Sequence, residues 1–295
     1  PRSLLAAEEE RSRTIEKRVL GRTKLKVTTV SLGCMVAPQP VIAKAFDMGI
    51  NWFDTAHAYK RGRNEVEVAD ALGDNRDKAY ICTKLPKGST KSMLDRLDTS
   101  LKRLRTDHVD LLLTHGAASR GDVFNENYIA ALEKAKRDGK TRFIGVSTHS
   151  RMAECVNAAA EAKIYDALLV KYSYAASGDD LKKAIADAKE AGVGIIAMKT
   201  QLGNFPNPEG GLTPHQAALK WVLDDENVAC AVPGMRNFQH LEQNFAVMAK
   251  RLALFDRRRL ERYVAATAHL QCASCGECDG QCPYGVDVPE VRRCA

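Results

Sequence analysis

The chain has 295 residues, 45% of them hydrophobic, which is enough for one full α/β barrel and a small appendage. No apolar run approaches the roughly 20 residues that cross a bilayer, so a membrane-spanning helix is excluded from the reading. The net charge of +7 is spread along the chain, and its one tight cluster, Arg257, Arg258 and Arg259, lacks interleaved aromatics and reads as a solvated helix face rather than a nucleic-acid site.

In chain order, short runs rich in Val, Ile and Leu alternate with helical segments. Strands are expected at Val27 to Met35, Asn51 to Ala56, Ala79 to Lys84, Val109 to His115, Phe143 to Thr148, Ala167 to Ser173, Gly194 to Lys199 and Val228 to Gly234. Helices are expected at Asn64 to Gly73, Ser89 to Leu104, Asn127 to Gly139, Ser150 to Ala162, Asp179 to Gly192, Thr213 to Asp224 and Asn237 to Lys250, several closing on Gly. The segment from Met35 to Asp47 is unusually short for a loop plus a first helix. Eight strands separated by helices predict a parallel (β/α)8 TIM barrel. We divide the chain into an N-terminal extension (1–15), the barrel (16–253) and a C-terminal helix with a cysteine-rich segment (254–295).

That last segment carries Cys272, Cys275, Cys278 and Cys282 followed by Pro283, a C-x-x-C-x-x-C-x-x-x-C-P run. Two-residue gaps let successive thiolates converge on neighbouring corners of a 4Fe-4S cube, and Gly276 and Gly280 permit the tight turns that wrapping needs. A disulfide staple or zinc knot uses comparable spacing, but zinc sites usually separate two ligand pairs by a longer loop. The fourth ligand is Cys282, inside the motif, with Cys294 as the rival. Cys34, Cys82, Cys155 and Cys230 are scattered among apolar neighbours and read as buried free thiols. The sequence starts at Pro1 rather than Met, so a processed or trimmed chain is expected. Reduced thiols and a cluster favour the cytoplasm, with export after folding as the alternative if a leader was removed.

In a parallel barrel the chemistry belongs at the carboxyl ends of the strands. There the sequence places Asp54 with Tyr59 just beyond it, Lys84, and His115. Together they form a proton-delivery site: the carboxylate keeps the Lys charged and aimed, and the imidazole orients a carbonyl oxygen. The ammonium is expected to draw the phenol pKa from about 10 towards neutrality. Tyr59 is then the general acid towards an oxygen that gains charge as hydride arrives. The loops Gly116 to Asn125, Tyr172 to Gly178 and Gln201 to Gly211 share no diagnostic chemistry, although Phe124, Tyr174 and Phe205 are candidates to wall an apolar pocket.

These residues resemble the aldo-keto reductase family. The resemblance runs from about Glu16 to Lys250 and rests on Lys17-Arg18-Val19-Leu20-Gly21-Arg22-Thr23, on Phe53-Asp54-Thr55-Ala56 with Tyr59 and Asn64-Glu65, and on Val232-Pro233-Gly234-Met235-Arg236-Asn237. It implies a (β/α)8 barrel and a tetrad of Asp54, Tyr59, Lys84 and His115. It also implies NADPH bound without a Gly-rich phosphate loop, Arg236 pairing with the 2'-phosphate and Asn244 holding the adenine side. Ser147, Lys199 and Gly234 complete the expected cofactor set. Thr148-His149, Leu169 and Met198-Lys199 stand where the family commonly has Asn, Gln and Tyr. The Met-Lys pair and the His after Ser147, together with the Cys run, resemble the family's iron-sulfur branch. The implied activity is NADPH-dependent reduction of a small aldehyde or ketone. The alternative is an electron-transfer enzyme whose cluster exchanges single electrons with a partner protein.

Overall fold

The computed structural model describes residues 15–201 and 211–267, together with 281 and 283. An N-terminal hairpin of β1 (Lys17–Val19) and β2 (Lys26–Thr28) precedes eight parallel strands: β3 (Leu32–Gly33), β4 (Trp52–Asp54), β5 (Tyr80–Leu85), β6 (Val109–Ala117), β7 (Thr141–Thr148), β8 (Ala167–Lys171), β9 (Gly194–Met198) and β10 (Cys230–Ala231). Each strand from β3 to β10 pairs in parallel with its neighbour in sequence. The sheet closes through parallel bridges Val30 to Ala231 and Gly33 to Gly234, so the expected barrel is formed.

The helices alternate with the strands: α1 (Gln39–Asp47), α2 (Arg63–Leu72), α3 (Thr90–Leu104), α4 (Glu126–Arg137), α5 (Met152–Ala162), α6 (Asp179–Glu190), α7 (Pro214–Leu223), α8 (Phe238–Phe245) and α9 (Leu254–Thr267). Local chemistry starts them. Thr213 and Gln216 form a reciprocal capping box on α7, and Ser89, Asn125 and Asn237 cap α3, α4 and α8 with their side chains.

Two expectations are corrected. The strand expected over Val27 to Met35 is broken: β2 belongs to the hairpin and β3 to the barrel. Between them Ser31 Oγ donates to Thr28 O at 2.7 Å and turns the chain from the barrel floor into its wall. The short Met35 to Asp47 stretch does hold a helix, because a single 3-10 turn (Cys34–Val36) replaces a loop and Pro40 sits in the first turn of α1, where no donor is lost.

Strand alternation divides the core. Trp52, Cys82, Leu111, Leu113, Leu169, Ile196, Met198 and Cys230 face inward and pack with Leu20, Leu25 and Val27 of the hairpin, which plugs the floor. Gly194 admits that plug: a Cβ there would lie 2.6 Å from Leu20 Cδ1. The outward residues, including Phe53, Ile81, Leu112, Ile144, Leu168 and Ile195, pack under the helices in a second cluster. Each fully buried Leu or Ile contributes ~1.5–3 kcal/mol, so the two layers hold the rim rigidly.

Candidate active site at the carboxyl rim

Continuing the inward register by two residues brings Asp54, Lys84, His115 and Ser147 to the rim, at the ends of β4, β5, β6 and β7. Lys84 is fully buried and Asp54 nearly so. The Lys84 Nζ donates to Asp54 Oδ1 at 2.6 Å, to Thr55 O at 2.7 Å and to the Tyr59 hydroxyl at 3.4 Å. All three ammonium protons therefore have acceptors. The Tyr59 ring meets the His115 imidazole edge-on with centroids 5.8 Å apart, so the four expected residues form one cluster.

Charge within the cluster is ordered by burial. Burial works against the Lys84 ammonium, but Asp54 and then Tyr59 outweigh it and the pKa rises. Lys84 is thus held charged. Burial pushes the Asp54 carboxyl up and Lys84 draws it back only partly. His115 is pushed down to about 4, first by burial and then by Lys84, so its imidazole is neutral near pH 7 and offers one N–H donor. The phenol departs from expectation: burial raises the Tyr59 pKa above its ordinary 10.0, and the opposing effect of Lys84 is too small to bring it towards neutrality. Tyr59 is a hydroxyl that stays protonated, with a cation placed to stabilise phenolate only when it forms.

Tyr59 stands on a strained turn. Lys60 and Arg61 have φ of 48° and 56°, and Gly62 follows at 91°. Two successive left-handed non-Gly residues cost roughly 1–2 kcal/mol each. The Lys60 Nζ anchors the turn by donating to Ala37 O at 3.1 Å and to Glu67 Oε2 at 2.7 Å. Below it, Thr55 Oγ1 donates to Asn64 Oδ1 at 2.8 Å, and Asn64 Nδ2 donates to Cys34 O at 2.8 Å.

The remaining candidates are distributed around the rim. Ser147 is buried, and its hydroxyl donates to Thr114 O at 3.2 Å and accepts from Gly116 N at 3.0 Å, tying β7 to β6. Lys199 is exposed, with a left-handed φ of 56° just beyond β9. Gly234 and Arg236 are exposed between β10 and α8, and Arg236 forms no side-chain hydrogen bond or ion pair among the described residues. Asn244 is buried and accepts from Gln201 Nε2 at 2.6 Å. Tyr174 lies edge-on to Trp221 at 5.2 Å and Phe124 packs on the outer core and against Arg120, so both serve loop packing. Cys34, Cys82, Cys155 and Cys230 are buried and unpaired, as read from sequence. Phe205 and the five cysteines Cys272, Cys275, Cys278, Cys282 and Cys294 lie outside the described residues; among the described residues no cluster of metal-ligating side chains occurs. No helix among them is long and apolar enough to cross a membrane.

Sequence reading missed two contributors. The Thr55 carbonyl that holds Lys84 is a backbone group and carries no residue signal. Arg103 reads as a surface charge on an amphipathic helix, but its guanidinium fills the space where a Cβ on Gly62 would stand, 2.2 Å from Arg103 Cζ.

A parallel barrel with a carboxylate, ammonium, phenol and imidazole converging at its carboxyl rim is the frame of an enzyme that handles a proton at a substrate oxygen. The chain belongs to the Aldo/keto reductase family, which it matches over residues 37–205 and 207–262, and it is an oxidoreductase. It is 32% identical over 152 residues to the uncharacterized oxidoreductase YqkF of Bacillus subtilis, a match covering 45% of this chain and 49% of that protein. It is 27% identical to the methylglyoxal reductase DkgB of Escherichia coli O157:H7, over 74% of this chain and 85% of that one. The fold is shared with an aldo-keto reductase from Bacillus halodurans at a TM-score of 0.71 and 23% identity, covering 90% of this chain and 99% of that one.

Proposed function

We propose that the protein reduces a small aldehyde or ketone with NADPH, or oxidises the corresponding alcohol, with Tyr59 as the proton donor. The observation that carries this reading is the Tyr59 hydroxyl held protonated within reach of the buried Lys84 ammonium and beside the neutral His115 ring. NADPH supplies the hydride when bound. The substrate oxygen lies between Tyr59 and His115; His115 donates one hydrogen bond to it and fixes its direction. As charge builds on that oxygen, the Tyr59 hydroxyl gives up its proton, and Lys84, kept charged by Asp54, stabilises the phenolate. DkgB is a methylglyoxal reductase, which supports a small carbonyl as substrate class.

The rim fits a nicotinamide dinucleotide phosphate. Ser147 has one lone pair left after its two hydrogen bonds, enough to accept from a carboxamide NH2. Arg236 is exposed and without a partner among the described residues, immediately before the Asn237 cap of α8, where backbone donors and a positive end favour a phosphate. At Gly234 a Cβ would lie 2.8 Å from Val36 Cγ2, so the loop backbone packs close there, while Asn244, by the family resemblance, is assigned to the adenine side and Lys199 supplies a second cation.

We further propose the iron-sulfur branch. Four thiols at Cys272, Cys275, Cys278 and Cys282 supply the donor set of a 4Fe-4S cluster. The spacing also supports a second reading, in which the cluster exchanges single electrons with a partner protein.

One experiment separates these readings: an anaerobic titration with NADPH, following nicotinamide fluorescence and the visible absorption of the cluster. Saturable binding without bleaching supports hydride transfer with a structural or tuning cluster. Binding with bleaching moves the partner-coupled reading to first place. No binding sinks the nicotinamide assignment, and no visible chromophore after anaerobic purification sinks the cluster.

A further inference from the structure

Glu65 is fully buried in the first turn of α2, a place where an ionised carboxylate is costly unless paired. Its Oε1 accepts from Thr83 Oγ1 at 2.8 Å, and its Oε2 accepts from Arg103 Nη1 at 3.3 Å. The same Arg103 nitrogen donates to His57 O at 3.1 Å. The guanidinium reaches these acceptors through the gap left by Gly62, whose φ of 91° closes the left-handed turn. Thr83 immediately precedes Lys84, and His57 lies two residues before Tyr59. One carboxylate and one guanidinium thus connect the strand end that carries Lys84 to the turn that carries Tyr59. Neither has a hydrogen bond to Asp54, Tyr59, Lys84 or His115, so both act behind the cluster. Backbone bonds also tie the chain leading into that turn to β5, Thr55 N to Cys82 O at 2.8 Å and His57 N to Lys84 O at 3.0 Å, both before the strained residues.

We propose that Glu65 and Arg103 are positioning residues that set the distance between the Tyr59 hydroxyl and Lys84 by holding the 57–62 turn against β5. This rests on the reading of Tyr59 as proton donor. A pair present for stability alone would lower the melting temperature and leave turnover per folded molecule unchanged. A positioning pair acts on kcat, because an ångström of misplacement in a reacting group costs about a hundredfold.

The test compares wild type, Glu65→Gln and Tyr59→Phe in the full chain, with NADPH and methylglyoxal as probes, and adds amide hydrogen exchange over 57–62. Glu65→Gln keeps an acceptor for Thr83 and removes the charge that holds Arg103. Its expected effects are a fall in kcat of about tenfold or more with KM for NADPH within about twofold, and faster exchange in the turn with β5 and β6 unaffected. If Glu65→Gln does not fold, Arg103→Lys keeps the cation, places its nitrogen one bond short of the Nη1 that serves both His57 O and Glu65, and is expected to give the same pattern. Unchanged kcat and unchanged exchange in whichever variant folds overturn the proposal. Full turnover in Tyr59→Phe overturns the proton-donor reading instead, and the exchange data then decide the positioning claim alone.

Discussion

The Lys84 ammonium lies 2.6 Å from Asp54 Oδ1, with both side chains almost entirely buried at the barrel rim. A pair so placed is not there for stability, since apolar residues of equal volume would serve as well. Removing one partner is a different matter. Lys84→Met leaves a buried carboxyl with no cation beside it, and a loss of about 3–5 kcal/mol is expected in chemical denaturation, with part of it recovered in the double variant Lys84→Met, Asp54→Leu. A single variant as stable as wild type would show that water reaches Asp54.

Tyr59→Phe removes the donated proton and leaves the ring against His115. Steady-state kinetics with NADPH and a small aldehyde are expected to show kcat lowered by about 10²–10⁴ with little change in KM for the cofactor. A loss below about tenfold would assign proton delivery to another group.

His115 titrates at about 4 in the folded protein and at 6.5 when free. Between those values the unfolded chain binds a proton that the folded chain refuses. The stability contributed by the neutral ring is complete above pH 6.5 and is lost as pH falls towards 4. The raised carboxyl of Asp54 works in the opposite direction, so the informative quantity is a difference. Relative to His115→Gln, wild type is expected to lose on the order of 1–3 kcal/mol more between pH 7 and 4 in urea titrations. Over pH 5–8 no His115 step is expected in kcat/KM.

Arg236→Ala tests the phosphate corner. The Kd for NADPH is expected to rise by about tenfold or more while that for NADH changes little, because only the former carries the 2'-phosphate a guanidinium can grip. Equal weakening of both would place Arg236 elsewhere in the binding.

The barrel is legible because short runs rich in Val, Ile and Leu, apolar on both faces, alternate with helical segments, and because a strand end such as Ile-Cys-Thr-Lys fixes where Lys84 must emerge. Asp54 and His115 followed from the same register. What stayed hidden depends on burial. The sequence shows that a cation stands near Tyr59 but not that desolvation exceeds its pull, so it predicts the opposite direction for the phenol shift. The left-handed turn at Lys60 and Arg61 is invisible for a related reason: neither residue favours that conformation, and packing from Arg103, Ala37 and Glu67 imposes it. The second hairpin strand reads as continuous with β3, because an apolar run through Val27 and Leu32 carries no mark of the turn that Ser31 makes.

The barrel closes along a narrow seam, Val30 with Ala231 and Gly33 with Gly234, between segments about two hundred residues apart. During synthesis the first strand must therefore wait, with one edge unsatisfied, until nearly the whole barrel has emerged. The seam is the last part of the wall to form and the first place where the cylinder can be unzipped, and a nascent chain stalled before Cys230 presents two open edges to its neighbours.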